Sequence, residues 1–368
     1  MQKAVESPNE SPWIKSMTFF VGGEFWSDSR LLTSTVTIPP EGMTYLNGGE
    51  AAMRLICAYL LSQGVHEILI PAYICSTMAD AFDRYGIACT GYLIQDNFRI
   101  DLDDLLRKSP RFKVLYVINY FGYGFTGEEK DVFDQLKAQG MLVIEDDAQA
   151  GFNRDSVANV RFNSLRKMVP YDGSFFYSHL DLSRNLAKFT SLPNHRLPVI
   201  RQFRQTFARL LAEGADDFDE LNPLFDQSEL HYYADLTVLG DPDERAATER
   251  LDWAAIEARR KANHQRLYAQ LAGIPEIEII FPQVSPHGPP LGFPVYVKSG
   301  QRDALLNYLR ARNVYPVVHW DILNDPRINK IPQTVLISKK ILTLILDQRF
   351  DLEDMDYEAG VVRAFFRQ

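Results

Sequence analysis

Three short stretches of this sequence carry side chains whose types complement one another. In "LVIEDDAQAGF" (Leu142–Phe152), Asp146 closes an apolar run. A carboxylate delivered there by a buried strand leaves water, and it stays ionised only where a cation meets it. Gln149, three residues on, adds a neutral hydrogen-bonding group. In "FNSLRKMVPYDGSFF", Lys167 stands after a short strand and before the turn signal "PYDG", among Leu165, Met168 and Val169. A lysine in apolar surroundings can lose its proton and act as a neutral amine, the nucleophile that makes a Schiff base with a carbonyl. In "YLNGGEAAM", Asn47, Gly48 and Gly49 precede a helix, so free amides and the helix dipole make an anion site, most often for phosphate. Glycine lets the backbone approach such a ligand. Taken singly, the three also read as a strand-end charge, a solvated lysine and an ordinary turn. Taken together they fit pyridoxal phosphate, which has a phosphate, an aldehyde, and a pyridine nitrogen that must be kept protonated to draw electrons. On this reading the cation that meets Asp146 is the pyridinium.

Bringing these groups together requires strands that end side by side. From Tyr45 to about Tyr177 helical and strand patterns alternate. "EAAMRLICAYLLSQG", "STMADAFDRYG", "DLDDLLRKS" and "GEEKDVFDQLKAQG" have helical spacing or caps. "HEILIPAYI", "IACTGYLI", "KVLYVINYFG" and "MLVIEDDAQ" read as strands, with "GSFFYS" a shorter last one. The apolar runs are continuous, as in parallel strands covered on both faces. The alternation predicts an α/β fold with a mostly parallel, doubly wound sheet, in which ligands bind beyond the carboxyl ends of the strands.

The expected organisation is an N-terminal lead-in over 1–40, a large cofactor-binding domain over 41–240 and a smaller α+β domain over 241–368. Within the large domain, 180–240 is atypical: "RLPVIRQFRQTFARLLAEG" is helical, whereas "ADDFDELNPLFDQSELHYYADL" is acidic, aromatic and reads as irregular. The small domain opens on the long helix "ERLDWAAIEARRKANHQRLYAQLAG". It continues through "IEIIF", "GFPVYVK", the helix "QRDALLNYLRARN", the strand "YPVVH" and a terminal helix "LEDMDYEAGVVRAFF".

The net charge of -9 argues against a nucleic-acid partner. No apolar run approaches the ~20 residues of a membrane span, and the N-terminus has no signal core, so the expectation is a cytoplasmic protein. The three cysteines are too few and too scattered for a disulfide framework or a zinc cluster. His66, His179, His195, His231, His264 and His287 share no metal-ligand spacing and read as structural.

The motifs also have a family likeness. "LNGGEAAM" is similar to an N-S-G-T-x-A-L phosphate turn, "VIEDDAQA" to V-I-E-D-A-A-Q-A, and "HEILIPAYICSTMADAF" to a D-E-V-I-V-P-x-x-T-F strand and helix. "NVYPVVHW" and "SKKILTLILDQRFDLEDMDY" resemble the carboxy-terminal part of the same pattern. The sequence thus resembles the DegT/StrS-type sugar aminotransferases, a branch of the fold-type-I pyridoxal-phosphate enzymes, over most of 40–178 and 244–366. The resemblance implies that Lys167 forms the Schiff base and Asp146 faces the pyridinium. It places Gln149 at the phenolic oxygen, Gly48, Gly49 and Glu50 around the phosphate, and Ser164 as a further phosphate contact. Asp147, at a family alanine position, is read as a supporting or substrate-side acid, or as exposed. His319, in "VVHW", is a candidate substrate contact. The chain departs from the pattern in a shortened segment between Asp146 and Lys167 and in lacking the Asn-x-x-Arg segment that usually reaches across the dimer. Cys75 aligns with the ring-stacking residue, which makes Tyr73 an alternative. The implied activity is transfer of an amino group from an amino acid, glutamate by resemblance, to a keto sugar, nucleotide-linked by resemblance, in a homodimer with shared sites. A dehydration or carbon–carbon bond step on the same scaffold, or a non-catalytic member, are the alternatives.

Overall fold

The computed structural model describes residues 20–28, 30–37, 42–153, 155–189, 193–215, 217–234 and 239–367. Its central sheet consists of β1 (Met43–Leu46), β2 (Glu67–Pro71), β3 (Ala88–Tyr92), β4 (Val114–Ile118), β5 (Leu142–Asp147), β6 (Val160–Asn163) and β7 (Ser174–Ser178). The spatial order is β1-β7-β6-β5-β4-β2-β3. Strands β2 to β6 are parallel, and β7 runs antiparallel to both its neighbours. The expected doubly wound α/β sheet is therefore present. Strands β4 and β5 are buried almost end to end, which explains their unbroken apolar runs.

Four helices provide the crossovers: α1 (Gly49–Ser62), α2 (Ser76–Arg84), α3 (Leu102–Lys108) and α4 (Gly127–Ala138). Three of them start where the sequence supplies a reason. Asp101 caps α3 through the Asp104 amide, Thr126 and Glu129 form a reciprocal capping box on α4, and Gly48 (φ 122°) turns the chain into α1.

Two further helices, α5 (Arg196–Glu213) and α6 (Asn222–Ala234), follow the sheet. The second corrects the sequence reading, which expected irregular chain there. Ser228 is the one residue of α6 that is fully buried, so no apolar stripe betrays it. It is held by packing on α5, where Leu221 and Phe225 join Phe203 and Phe207.

The carboxy-terminal unit is the antiparallel sheet β8 (Ile277–Ile279), β9 (Phe293–Val297) and β10 (Ile341–Leu344), with β9 in the middle. Helices α7 (Trp253–Leu271), α8 (Arg302–Arg310) and α10 (Leu352–Phe366) share its apolar core, including Leu267, Val295, Leu305, Leu344 and Met355. A helix α9 (Pro332–Lys340), not anticipated from sequence, precedes β10. "YPVVH" gives no full strand. Val314–Tyr315 pairs with Val21–Gly22, and Val317 bridges to Thr343. Within the expected lead-in, Val21 thus belongs to the core of the carboxy-terminal unit, while 1–19 lie outside the described residues.

Candidate active site

The middle strand, β5, sets the site. Its register places Asp146 beside Ile118 of β4 and Phe162 of β6, and Asp147 beside Asn163. The two strand ends are adjacent, so the 3-10 turn Leu165–Lys167 that follows β6 swings over the end of β5. Alternation along β5 then separates the acids, with Asp146 on one face and Glu145 and Asp147 on the other.

Asp146 is buried. Its Oδ2 accepts the Tyr116 hydroxyl at 2.7 Å and its Oδ1 accepts the Ala148 N–H at 2.8 Å. Burial raises its pKa, while the Lys167 ammonium, Tyr116 and the Ala148 amide all pull it back towards the ionised form. Lys167 is perturbed in the complementary sense. Burial and the neighbouring Arg166 charge lower its pKa, and Asp146 and Cys75 oppose them. The lysine opens on a cavity of about 340 Å³ that Phe25, Arg166, Leu291 and His319 also line. No hydrogen bond or ion pair holds its amine among the described residues.

The other expected residues divide. Cys75, at the start of α2, lies within electrostatic reach of Lys167. His319 lines the same cavity, with Nδ1 3.0 Å from Thr343 Oγ1. Burial, helped by the Lys167 charge, pushes its pKa down to about 3, so it is a neutral imidazole. Gln149 is buried; its Oε1 accepts the Phe121 N–H at 2.9 Å and its Nε2 has no partner among the described residues. At the start of α1, a methyl placed on Gly49 would lie 3.3 Å from Ser164 Cβ, so the turn before Lys167 packs directly on this helix N-terminus. The Glu50 side chain turns away to Arg54 and Arg84, which leaves only its amide at the helix end.

Two assignments change. Asp147 is neither exposed nor on the cavity side. It is buried on the opposite face of β5, where Oδ1 accepts Asn119 Nδ2 at 2.9 Å. Burial and the adjacent Glu145, which Asn153 and Ser156 bond, drive its carboxyl well above the usual range. Two carboxyls buried side by side share a proton more readily than they hold two charges. Tyr73, the alternative stacking ring, packs instead against Phe98 and Trp320, and its hydroxyl donates to the His319 carbonyl at 2.8 Å. It ties β2 to the loop that carries His319.

Sequence reasoning missed two contributors. Tyr116, which orients Asp146, had a signal: it is the polar residue inside the fully buried strand β4. Arg166, which lines the cavity beside Lys167, had none, because its partner Glu229 lies 63 residues away in the chain.

No family model matches the sequence, and no curated protein matches it either. The fold does have relatives among solved structures. The aminotransferase TlmJ from Streptoalloteichus hindustanus is 17% identical with a TM-score of 0.64, over 90% of this chain and 87% of that one. DesI, crystallised in the presence of its TDP-sugar product, is 14% identical with a TM-score of 0.65, over 88% and 80%. The putative sugar aminotransferase Spr1654 from Streptococcus pneumoniae, in its PLP form, is 16% identical with a TM-score of 0.62, over 93% and 92%. Neighbours of the DegT, DnrJ, EryC1 and StrS type are among them, which is the family the motifs resemble. Identities this low establish a shared fold.

Proposed function

We propose that the protein is a pyridoxal-phosphate-dependent aminotransferase that moves an amino group from an amino acid, glutamate by resemblance, to a nucleotide-linked keto sugar. The observation that carries the reading is the pairing of Asp146 and Lys167. An acid on the central strand of a parallel sheet and an amine with no hydrogen-bond partner among the described residues perturb one another, and the amine opens on a cavity. The neighbours support it further, since one was crystallised with a TDP-sugar product and another in a PLP form.

The residues fit the cofactor. When bound, it supplies an aldehyde for amine exchange and a protonated ring that draws electrons from the reacting carbon. Asp146, supported by Tyr116 and the Ala148 amide, would hold the proton on the ring nitrogen. Gln149 keeps a buried donor, Nε2, for the phenolic oxygen. Gly48, Gly49, the Glu50 amide and Ser164 would take the phosphate. Lys167 would hold the aldehyde and, once displaced by the donor, carry a proton to and from the reacting carbon at Nζ. Its burial and the Arg166 charge favour the neutral amine that this needs. His319, a neutral imidazole facing the cavity, would contact the substrate. A homodimer belongs to this proposal, and sedimentation would give its mass.

Borohydride reduction of the cofactor-loaded protein, followed by peptide mass mapping, should place a pyridoxyl group on Lys167. The label on another lysine, or on none, sinks the proposal. Cys75 beside Lys167 favours a second reading, a dehydration or carbon–carbon bond step with the same cofactor. Stoichiometric conversion of glutamate to 2-oxoglutarate with a keto-sugar acceptor would exclude it.

A further inference from the structure

The N-terminus of α1 is roofed by the chain's own α6. Tyr232 Oη accepts the Glu50 N–H at 3.3 Å, and a methyl placed on Gly48 would lie 3.3 Å from the same oxygen. The phenol ring is flanked by two guanidinium groups, Arg166 at 4.1 Å and Arg196 at 4.9 Å from its centroid. Both arginines also reach Glu229, three residues earlier on α6, at 2.7 and 2.8 Å. On either side of Tyr232, Asn194 Nδ2 donates to Asn47 Oδ1 at 2.6 Å and Arg54 Nη2 donates to the Tyr233 carbonyl at 3.0 Å. Asn194, Tyr232 and Tyr233 therefore tie this part of the chain to the Asn47-Gly48-Gly49 turn and the helix it opens.

The chemistry of that roof suits an anion. The Tyr232 hydroxyl accepts the amide proton, but its own proton has no acceptor among the described residues. Arg166 Nε is likewise buried without an acceptor. The hydroxyl donor meets the Glu50 amide at the N-terminus of a fourteen-residue helix, and the Arg166 guanidinium lies over the face of the same phenol ring. The two arginines also oppose the effect of burial on the phenol and make it the better donor. Nothing in this arrangement requires a second chain.

We infer that Tyr232 closes the phosphate subsite in cis. A phosphate monoester takes the Glu50 amide and receives the Tyr232 proton, with Arg166 as the neighbouring charge. Tyr232 is thus a cofactor-positioning residue supplied by α6. The inference rests on the proposed function for the identity of the ester, and the anion subsite itself is tested separately.

The full-length apoprotein is titrated with pyridoxal phosphate and with pyridoxal, which lacks the phosphate, following visible absorbance. Thermal unfolding is recorded with and without inorganic phosphate. Losing one charge-assisted hydrogen bond should weaken pyridoxal phosphate about tenfold in Tyr232→Phe. Pyridoxal binding should stay unchanged, and the upward Tm shift that inorganic phosphate gives the wild type should shrink. A wild-type ratio of the two affinities in Tyr232→Phe overturns the inference. Equal weakening of both ligands does so too, because it reports a loosened site. If the wild type binds neither aldehyde but phosphate still raises Tm in a Tyr232-dependent way, the cofactor reading fails and the anion subsite stands.

Discussion

Lys167 and Asp146 act on opposite sides of the same chemistry, so their losses should differ. Lys167→Ala removes the amine, and turnover should fall to background even with the cofactor present. Asp146→Asn keeps the shape and the Tyr116 contact but cannot hold a proton on the ring nitrogen. Electrostatic contributions of this kind are worth about 10²–10³ in rate, and kcat should fall by that order with cofactor still bound. Tyr116→Phe strips one of the three groups that hold Asp146 ionised, so the acidic limb of a kcat–pH profile should move up. A profile identical to wild type would remove Tyr116 from this role. Asp146 was legible in the sequence because a carboxylate ending a buried strand is costly unless something uses it. Of the readings offered for Asp147, the exposed and substrate-side ones fall, and strand parity alone puts it on the other face. Tyr232 had no legible signal: its bond to Glu50 spans 182 residues of chain, and local pattern does not report such a contact.

At the scale of elements, the crossover strands and helices were readable because continuous apolar runs and end caps agree with one another there. Helix α6 was not readable, since its partners are α5 and charged side chains of the site rather than an apolar face of its own. A second long-range device holds the lysine turn. Arg260 of α7 is wholly buried and bonds no carboxylate among the described residues; it donates to the Pro290, Leu291 and Met168 carbonyls and to Gln348 Oε1. Gln348 Nε2 donates to the same Met168 carbonyl at 2.7 Å. The residue directly after Lys167 is thus stapled to the carboxy-terminal unit by two donors. Arg260→Met would leave several buried acceptors unpaired and should cost about 3 kcal/mol of stability or more. Gln348→Leu removes the shorter bond and also the acceptor of Arg260 Nε. It should lower kcat several-fold with KM little changed, because it loosens the lysine turn from the carboxy-terminal unit. A rise in KM at constant kcat would assign Gln348 to substrate binding instead.

The two largest apolar cores among the described residues lie around the seven-stranded sheet and around β8 to β10, and the carboxy-terminal one contains an acid that should make stability depend on pH. Glu358 of α10 is fully buried; Oε1 accepts the Ile345 N–H at 3.0 Å and Oε2 has no partner among the described residues. Burial, with Asp347 and Asp354 nearby, pushes its pKa up to about 8. In the unfolded chain a glutamate titrates near 4.3, about as free peptides do. The folded pKa is the higher one, so the native state binds the proton more tightly. The stabilisation is complete below pH ~4 and is lost as pH rises towards 8, by up to about 1.4 kcal/mol per pH unit for this one group. Asp354, pushed up to about 6 by burial, adds to the lower part of the same window. Asp172 behaves oppositely, because Arg204 and Arg196 overcome its burial and hold it well below the carboxylate range, so it does not titrate within this window. Urea unfolding measured from pH 5 to 9 should therefore show stability falling towards alkaline pH, and Glu358→Gln should flatten that fall. An unchanged slope in the variant would mean that Glu358 is ionised in the native core at neutral pH, and the alkaline loss would have to arise from other groups.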